Sequence, residues 1–180
     1  MPENYMDRLK KALHEGWRQF FDALHPDHHQ KLVEILRHAY IEEAQDVVQL
    51  TQHAERVYYP QFRERLLRIA AQEQAHVTWL RDMLRALGAE VPDVSLTPRA
   101  AKNAWEGLLV DMEEEKRSYA DLLEAMHIAE EAYPEIVEGL QRIREEERQH
   151  REELLDMLVK SDPYTLPQDR VEESPVKDRP

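Results

Sequence analysis

Apolar residues recur along this chain at the three-and-four spacing of a helix face, and hardly anywhere at the alternating spacing of a strand. Met6, Leu9, Leu13, Trp17, Phe20, Phe21 and Leu24 mark a first amphipathic helix over residues 4–24, which His25-Pro26 should stop. The pattern resumes at Asp27 and runs to Tyr59-Pro60, with Leu36, Tyr40, Val47, Leu50, Ala54 and Val57 on one seam. A second long stretch, Gln61 to Gly88, aligns Leu66, Ile69, Ala70, Val77, Leu80 and Met83. Ala89 to Arg99, with Pro92 and Pro98, interrupts the pattern and predicts a linker. A third stretch (Leu108, Met112, Tyr119, Leu122) leads to Tyr133-Pro134, and a fourth (Ile136, Leu140, Ile143, Leu154, Met157) to about Lys160. From Ser161, four prolines in a polar tail predict disorder.

The expected fold is therefore all-α: a four-helix bundle over residues 31–160, an N-terminal amphipathic helix and turn over 1–30, and a tail over 161–180. The first helix should pack outside the bundle or against a partner. Sliding the second half of the chain onto the first superposes Glu147 on Glu73, His150 on His76 and Pro134 on Pro60 in a single register, the mark of a duplicated helical hairpin. Extended, the linker spans roughly 35–40 Å, about the length of the helices it joins. It is long enough to cross the bundle end to end, and equally compatible with a plain up-down loop.

Composition narrows the function. Four glycines and 34% charged residues in 180 suit a helical chain. A formal net charge of −13 argues against nucleic-acid or anionic-membrane binding, since no basic stripe would neutralise phosphates. The absence of cysteine excludes disulfides, thiolate zinc and iron–sulfur centres within the chain. The N-terminus MPENYMDRLKK lacks the apolar core of a signal peptide, and a cytoplasmic protein is expected.

The candidate chemistry lies in Glu73-Gln-Ala-His76 and Glu147-Arg-Gln-His150. Glu and His three apart share a helix face and can grip one metal ion. With 25 glutamates and nine histidines the motif arises by chance, and a third copy, Glu124-Ala-Met-His127, is present. Face decides between them. Glu73, His76, Glu147 and His150 fall within apolar seams, whereas Glu124 lies opposite its own. A bare carboxylate on a buried seam costs several kcal/mol unless a cation or strong donors compensate it. One isolated pair fits a protonated or Arg-paired glutamate beside a core histidine; two pairs at matching mid-helix positions favour metal. The same test selects Glu43 on the first bundle helix and, from the run Glu113-Glu114-Glu115, Glu115 on the third.

Four carboxylates and two histidines from four helices resemble the ferritin-like superfamily. The stretches RLLRIAAQEQAHVTWL and GLQRIREEERQHREELL are most similar to rubrerythrin-type domains. The resemblance, covering about Leu32 to Lys160, implies a di-iron or di-manganese centre with Glu43, Glu73 and His76 around one ion. Glu115, Glu147 and His150 would surround the other, and Glu73 and Glu147 would bridge. It also implies Tyr40 and Tyr119 as inward hydrogen-bond donors beside the site. Glu115 precedes Glu147 by two positions more than Glu43 precedes Glu73, so Arg117 or Ser118 falls opposite Glu43 if the halves are offset. Rubrerythrins often carry an extra glutamate and a rubredoxin module. The third helix shows no second inward acid, and without cysteine electrons must come from an external donor protein. Oxidation of the centre by peroxide or O₂, as a peroxide reductase or ferroxidase, is the expected chemistry. The alternatives are a scaffold with structural metal or none, and an O₂-dependent hydroxylase. The resemblance also implies a homodimer.

Overall fold

The computed structural model describes residues 5–114 and 118–161, with side chains described from Leu13 onward apart from those of His14, Pro26 and residues 114–120. The expected disordered tail lies outside the described residues beyond Ser161. Every described element is a helix: α1 Tyr5–Leu24, α2 Pro26–Arg56, α3 Pro60–Ala86, α4 Ala104–Glu114, α5 Ser118–Ala129 and α6 Pro134–Lys160. The expected third bundle helix is thus described in two pieces, α4 and α5. No helix among the described residues is long and apolar enough to cross a membrane.

Local chemistry sets the helix ends. Proline occupies the first turn of α2, α3 and α6, where its missing N–H is not needed and its fixed φ is already helical. After α3 the chain turns through Gly88 at φ 71°, a left-handed conformation that glycine adopts without a Cβ penalty. Gly88 N–H then donates to Arg85 O (3.0 Å) and Ala89 N–H to Leu84 O (2.9 Å), satisfying carbonyls the helix end leaves open.

The linker beyond this turn is a crossover. Arg37 Nε donates to Glu90 O, Gln45 Nε2 to Thr97 O, and Arg99 N–H to Gln49 Oε1, each at 3.1 Å. Residue numbers rise together on α2 and on the linker, so the segment runs lengthwise beside α2 and delivers α4 at the far end of the bundle. The open choice between crossover and up-down loop is settled by these three bonds. α4 and α5 then run antiparallel to α2, pairing His53 with Asp111 and Lys31 with Glu124.

The apolar core is in two compartments. One gathers Leu32, Leu36, Leu80, Leu84, Leu122, Ile136 and Leu140 with Phe21 of α1. The other gathers Leu50, Phe62, Leu66, Ile69, Leu108, Leu154 and Met157. Each fully buried Leu or Ile side chain contributes about 1.5–3 kcal/mol, so both compartments hold the bundle closed around whatever lies between them. α3 and α6 approach closely at Gly139, where any added Cβ would collide with the Trp79 indole.

α1 docks by one edge. Phe21 enters the first compartment, Trp17 Nε1 donates to Glu131 O (3.1 Å), and Arg18 pairs with Glu135 while its guanidinium sits 5.0 Å over the Tyr133 ring. Tyr133 O–H donates to the Asp22 carboxylate at 2.7 Å.

Candidate metal centre

Between the two apolar compartments lies a polar layer. Glu43 enters it from α2, Glu73 and His76 from α3, and Glu147 and His150 from α6. None of the five is more than 8% exposed. Their seams are apolar above and below, so packing those seams carries the polar side chains inward with them.

His76 Nδ1 lies 3.2 Å from Glu43 Oε2, 2.9 Å from Glu73 Oε2 and 3.3 Å from Glu147 Oε1. His150 Nδ1 lies 2.6 Å from Glu73 Oε1, although that oxygen accepts no aligned hydrogen bond among the described residues. Glu73 therefore touches both imidazoles, one with each oxygen. The two rings are stacked with centroids 6.0 Å apart. Glu43, Glu73, His76 and Glu147 each present one ligand-type atom within 4.8 Å of the others.

The far side of each imidazole is also held. His76 Nε2 is 2.6 Å from Glu146 Oε2, and His150 Nε2 is 3.1 Å from Gln72 Oε1. A proton kept on each Nε2 and donated outward would leave the Nδ1 lone pairs facing the layer once a cation displaces the proton that His76 Nδ1 shares with the carboxylates. This is the arrangement by which outer partners orient ligating histidines.

Electrostatics strain the layer. Burial raises the Glu43 carboxyl well above its ordinary value, and the charges of Glu147 and Glu73 push it further. Glu73 is raised by burial first and then by Glu147. Burial alone would lower His76, but hydrogen bonds with Glu147, Glu43 and Glu73 together outweigh it and raise its pKa far above the ordinary range. In His150 burial wins and the pKa is lowered. Three inward carboxylates facing two imidazoles leave surplus negative charge in a low-dielectric layer, and a multivalent cation is what neutralises it.

Further along the bundle a second buried polar group closes on itself. Asp111 accepts from His53 Nδ1 at 2.8 Å and from Gln49 Nε2 at 3.1 Å, while Gln49 Oε1 takes the Arg99 N–H. The face of the His53 ring lies 3.2 Å from where a Cβ on Gly107 would sit, so glycine is what admits the ring. His53 is buried, with Asp111 as its partner.

Of the residues singled out from sequence, Glu43, Glu73, His76, Glu147 and His150 converge in one layer. Glu115 and the Tyr119 side chain lie outside the described residues. Tyr40 packs against the first apolar compartment, one turn from Glu43, and no hydrogen bond joins its hydroxyl to the site among the described residues. Glu124 faces solvent and pairs with Lys31, as expected of the third motif copy. Glu146, Gln72, Asp111 and Gln49 were not anticipated. The available signal was positional: Gln72 and Glu146 each directly precede an inward glutamate, at matching positions of the two halves.

Crossover-linked helical hairpins closing on a buried carboxylate–imidazole layer make this a ferritin-like bundle. The rubrerythrin family model matches residues 34–158, more than two thirds of the chain, and the chain belongs to the rubrerythrin family. It is also similar to a solved structure described as ferritin-like, diiron-carboxylate proteins from Bacillus anthracis str. Ames. There the identity is 21%, the TM-score 0.65, and the likeness covers 73% of this chain and 97% of that one. No curated protein matches the sequence.

Proposed function

We propose that this chain is a dinuclear iron protein, with manganese the alternative metal, that reduces peroxide or O₂ with electrons from an external donor protein. Glu73 carries the proposal: a carboxylate 1% exposed, with one oxygen toward His76 and the other toward His150, would bridge two cations. The oxygen and imidazole donor set, free of thiolate, suits iron or manganese. Glu43 and His76 would complete one side, and Glu147 and His150 the other, with Glu115 the remaining candidate ligand. Two ferrous ions held there would supply the two electrons that, with two protons, convert one peroxide to two waters.

The chain's own contribution is positional. Glu146 and Gln72 would hold the two Nε2 protons outward, so that both imidazoles would meet bound cations as lone-pair donors. The apolar compartments on either side limit water at the reacting atoms. The raised carboxyls of Glu43 and Glu73 take up protons readily when charge in the layer falls.

The test loads metal-free protein with Fe(II) under anaerobic conditions and adds peroxide. The expected result is ferric absorbance, with about one peroxide consumed per two irons, and its loss in Glu73→Ala. Oxidation no faster than in the Glu73→Ala chain would overturn the proposal.

A further inference from the structure

The largest exposed apolar feature among the described residues lies far from the metal layer, on α1. Leu13 (66% exposed), Trp17 (47%), Phe20 (54%) and Leu24 (58%) form one stripe. Its alternating steps of four and three match the heptad period of a two-helix seam rather than scattered surface residues. Gly16 and Ala23 flank the stripe, both exposed, and a Cβ on Gly16 would meet nothing within 4 Å. The adjoining edge of the helix is already engaged by Phe21, Arg18 and Asp22, and Trp17, still 47% exposed, joins the two, its Nε1 donating to Glu131 O.

We infer that this stripe is an interface between two copies of the chain, with α1 packed antiparallel to the partner's α1 across a two-fold axis. Three observations select a second copy. The stripe is its own complement: read from either end it runs leucine, aromatic, aromatic, leucine with the same spacing. A two-fold axis between Trp17 and Phe20 therefore sets leucine on leucine and indole on phenyl, as isologous packing requires. Charge agrees as well. On a chain of formal net charge −13, α1 carries no acidic excess, with Arg8, Lys10, Lys11 and Arg18 against Asp7, Glu15 and Asp22. Two acidic chains meeting here avoid their mutual repulsion. Lastly, residues 162–180 are polar and broken by prolines, with no matching stripe to cover the face in cis. α1 also lies outside residues 34–158 that the family model matches.

Three helical turns form a small contact beside a standard interface of about 800 Å² per partner, so the dimer is concentration-dependent. Sedimentation velocity of the full chain tests it. The expected mass rises with concentration from 21.4 kDa toward twice that value, while Phe20→Glu and Leu24→Glu stay at one chain throughout with unchanged helical circular dichroism. Register has its own readout, since the chain has no cysteine: Trp17→Cys mixed with Phe20→Cys should form a cross-linked heterodimer in higher yield than either variant alone. A wild-type chain monomeric at every concentration, or a dimer that survives Phe20→Glu, overturns the interface. So does a stripe whose Trp17 emission shifts only with anionic vesicles, because the occupant is then a lipid surface.

Discussion

The two halves of the polar layer carry the same motif, yet they do not treat their histidines alike. Glu73 matches Glu147, and His76 matches His150, but the residue preceding each glutamate differs: Gln72 in one half and Glu146 in the other. Each reaches across to the histidine of the opposite half. His76 is thus backed by a carboxylate and His150 by an amide. The raised His76 pKa owes to hydrogen bonds with Glu147, Glu43 and Glu73, and the lowered His150 pKa to burial, so the unequal backing rests on the two outer hydrogen bonds themselves. A duplicated scaffold can therefore present two unequal metal positions through one substitution outside the ligand set. The imidazole backed by a carboxylate is the more basic donor, and its position should hold metal more tightly.

The comparison breaks most completely at Glu73, the residue both halves share. Glu73→Ala should abolish metal retention, a loss above about 100-fold in affinity, measured by elemental analysis after dialysis. Because a buried charge is removed, the metal-free variant should be as stable as metal-free wild type or more so.

Removing the metal exposes the strain of the whole layer. The raised Glu43 and Glu73 carboxyls bind protons in the folded state that the unfolded chain releases near the ordinary value of 4.5. Stability of the metal-free chain is therefore lost as pH climbs from that value through the raised ones. The raised His76 acts in the same direction above its ordinary 6.5, while the lowered His150 opposes only below 6.5. Metal-free protein should melt lower at pH 8 than at pH 6. The loaded protein, with its carboxylates neutralised by cations, should show a smaller difference in the same calorimetric scan.

Glu146→Gln makes the halves alike by weakening the stronger one. About 10- to 100-fold lower affinity at a single metal position is expected, with the other position unchanged. Asp111→Asn sharpens the contrast from outside the layer. It leaves the His53 and Gln49 cluster with a neutral, less complementary partner at a cost of about 1–3 kcal/mol in denaturant unfolding, and metal content should not move. Smallest is Gln72→Glu, which gives His150 the backing His76 already has. A several-fold gain in affinity at the weaker position is expected, read by competition with a chelator.

What could be read from the sequence depended on how local each feature is. The helices announce themselves through seams and through Pro26, Pro60 and Pro134 at their starts. The convergence of Glu43, Glu73, His76, Glu147 and His150 could be anticipated because each sits on a seam, and seams pack. The linker's course was not legible, since three hydrogen bonds from Arg37, Gln45 and Gln49 fix it and no periodicity marks them. Glu146 and Gln72 stand about 100° from the inward glutamates they precede. Whether they reach the opposite histidine depends on the approach of α3 to α6, which Gly139 and Trp79 help set. Asp111 lay beside a run of three glutamates that drew attention to Glu115 instead.

The central claim, a metal centre of two unequal halves, is tested most directly by calorimetric titration of Fe(II) into the metal-free chain without oxygen. The account predicts about two ions per chain in two resolved steps, the tighter of which weakens in Glu146→Gln while the other holds. Binding that saturates well below two ions, or two steps indifferent to Glu146→Gln, would contradict it.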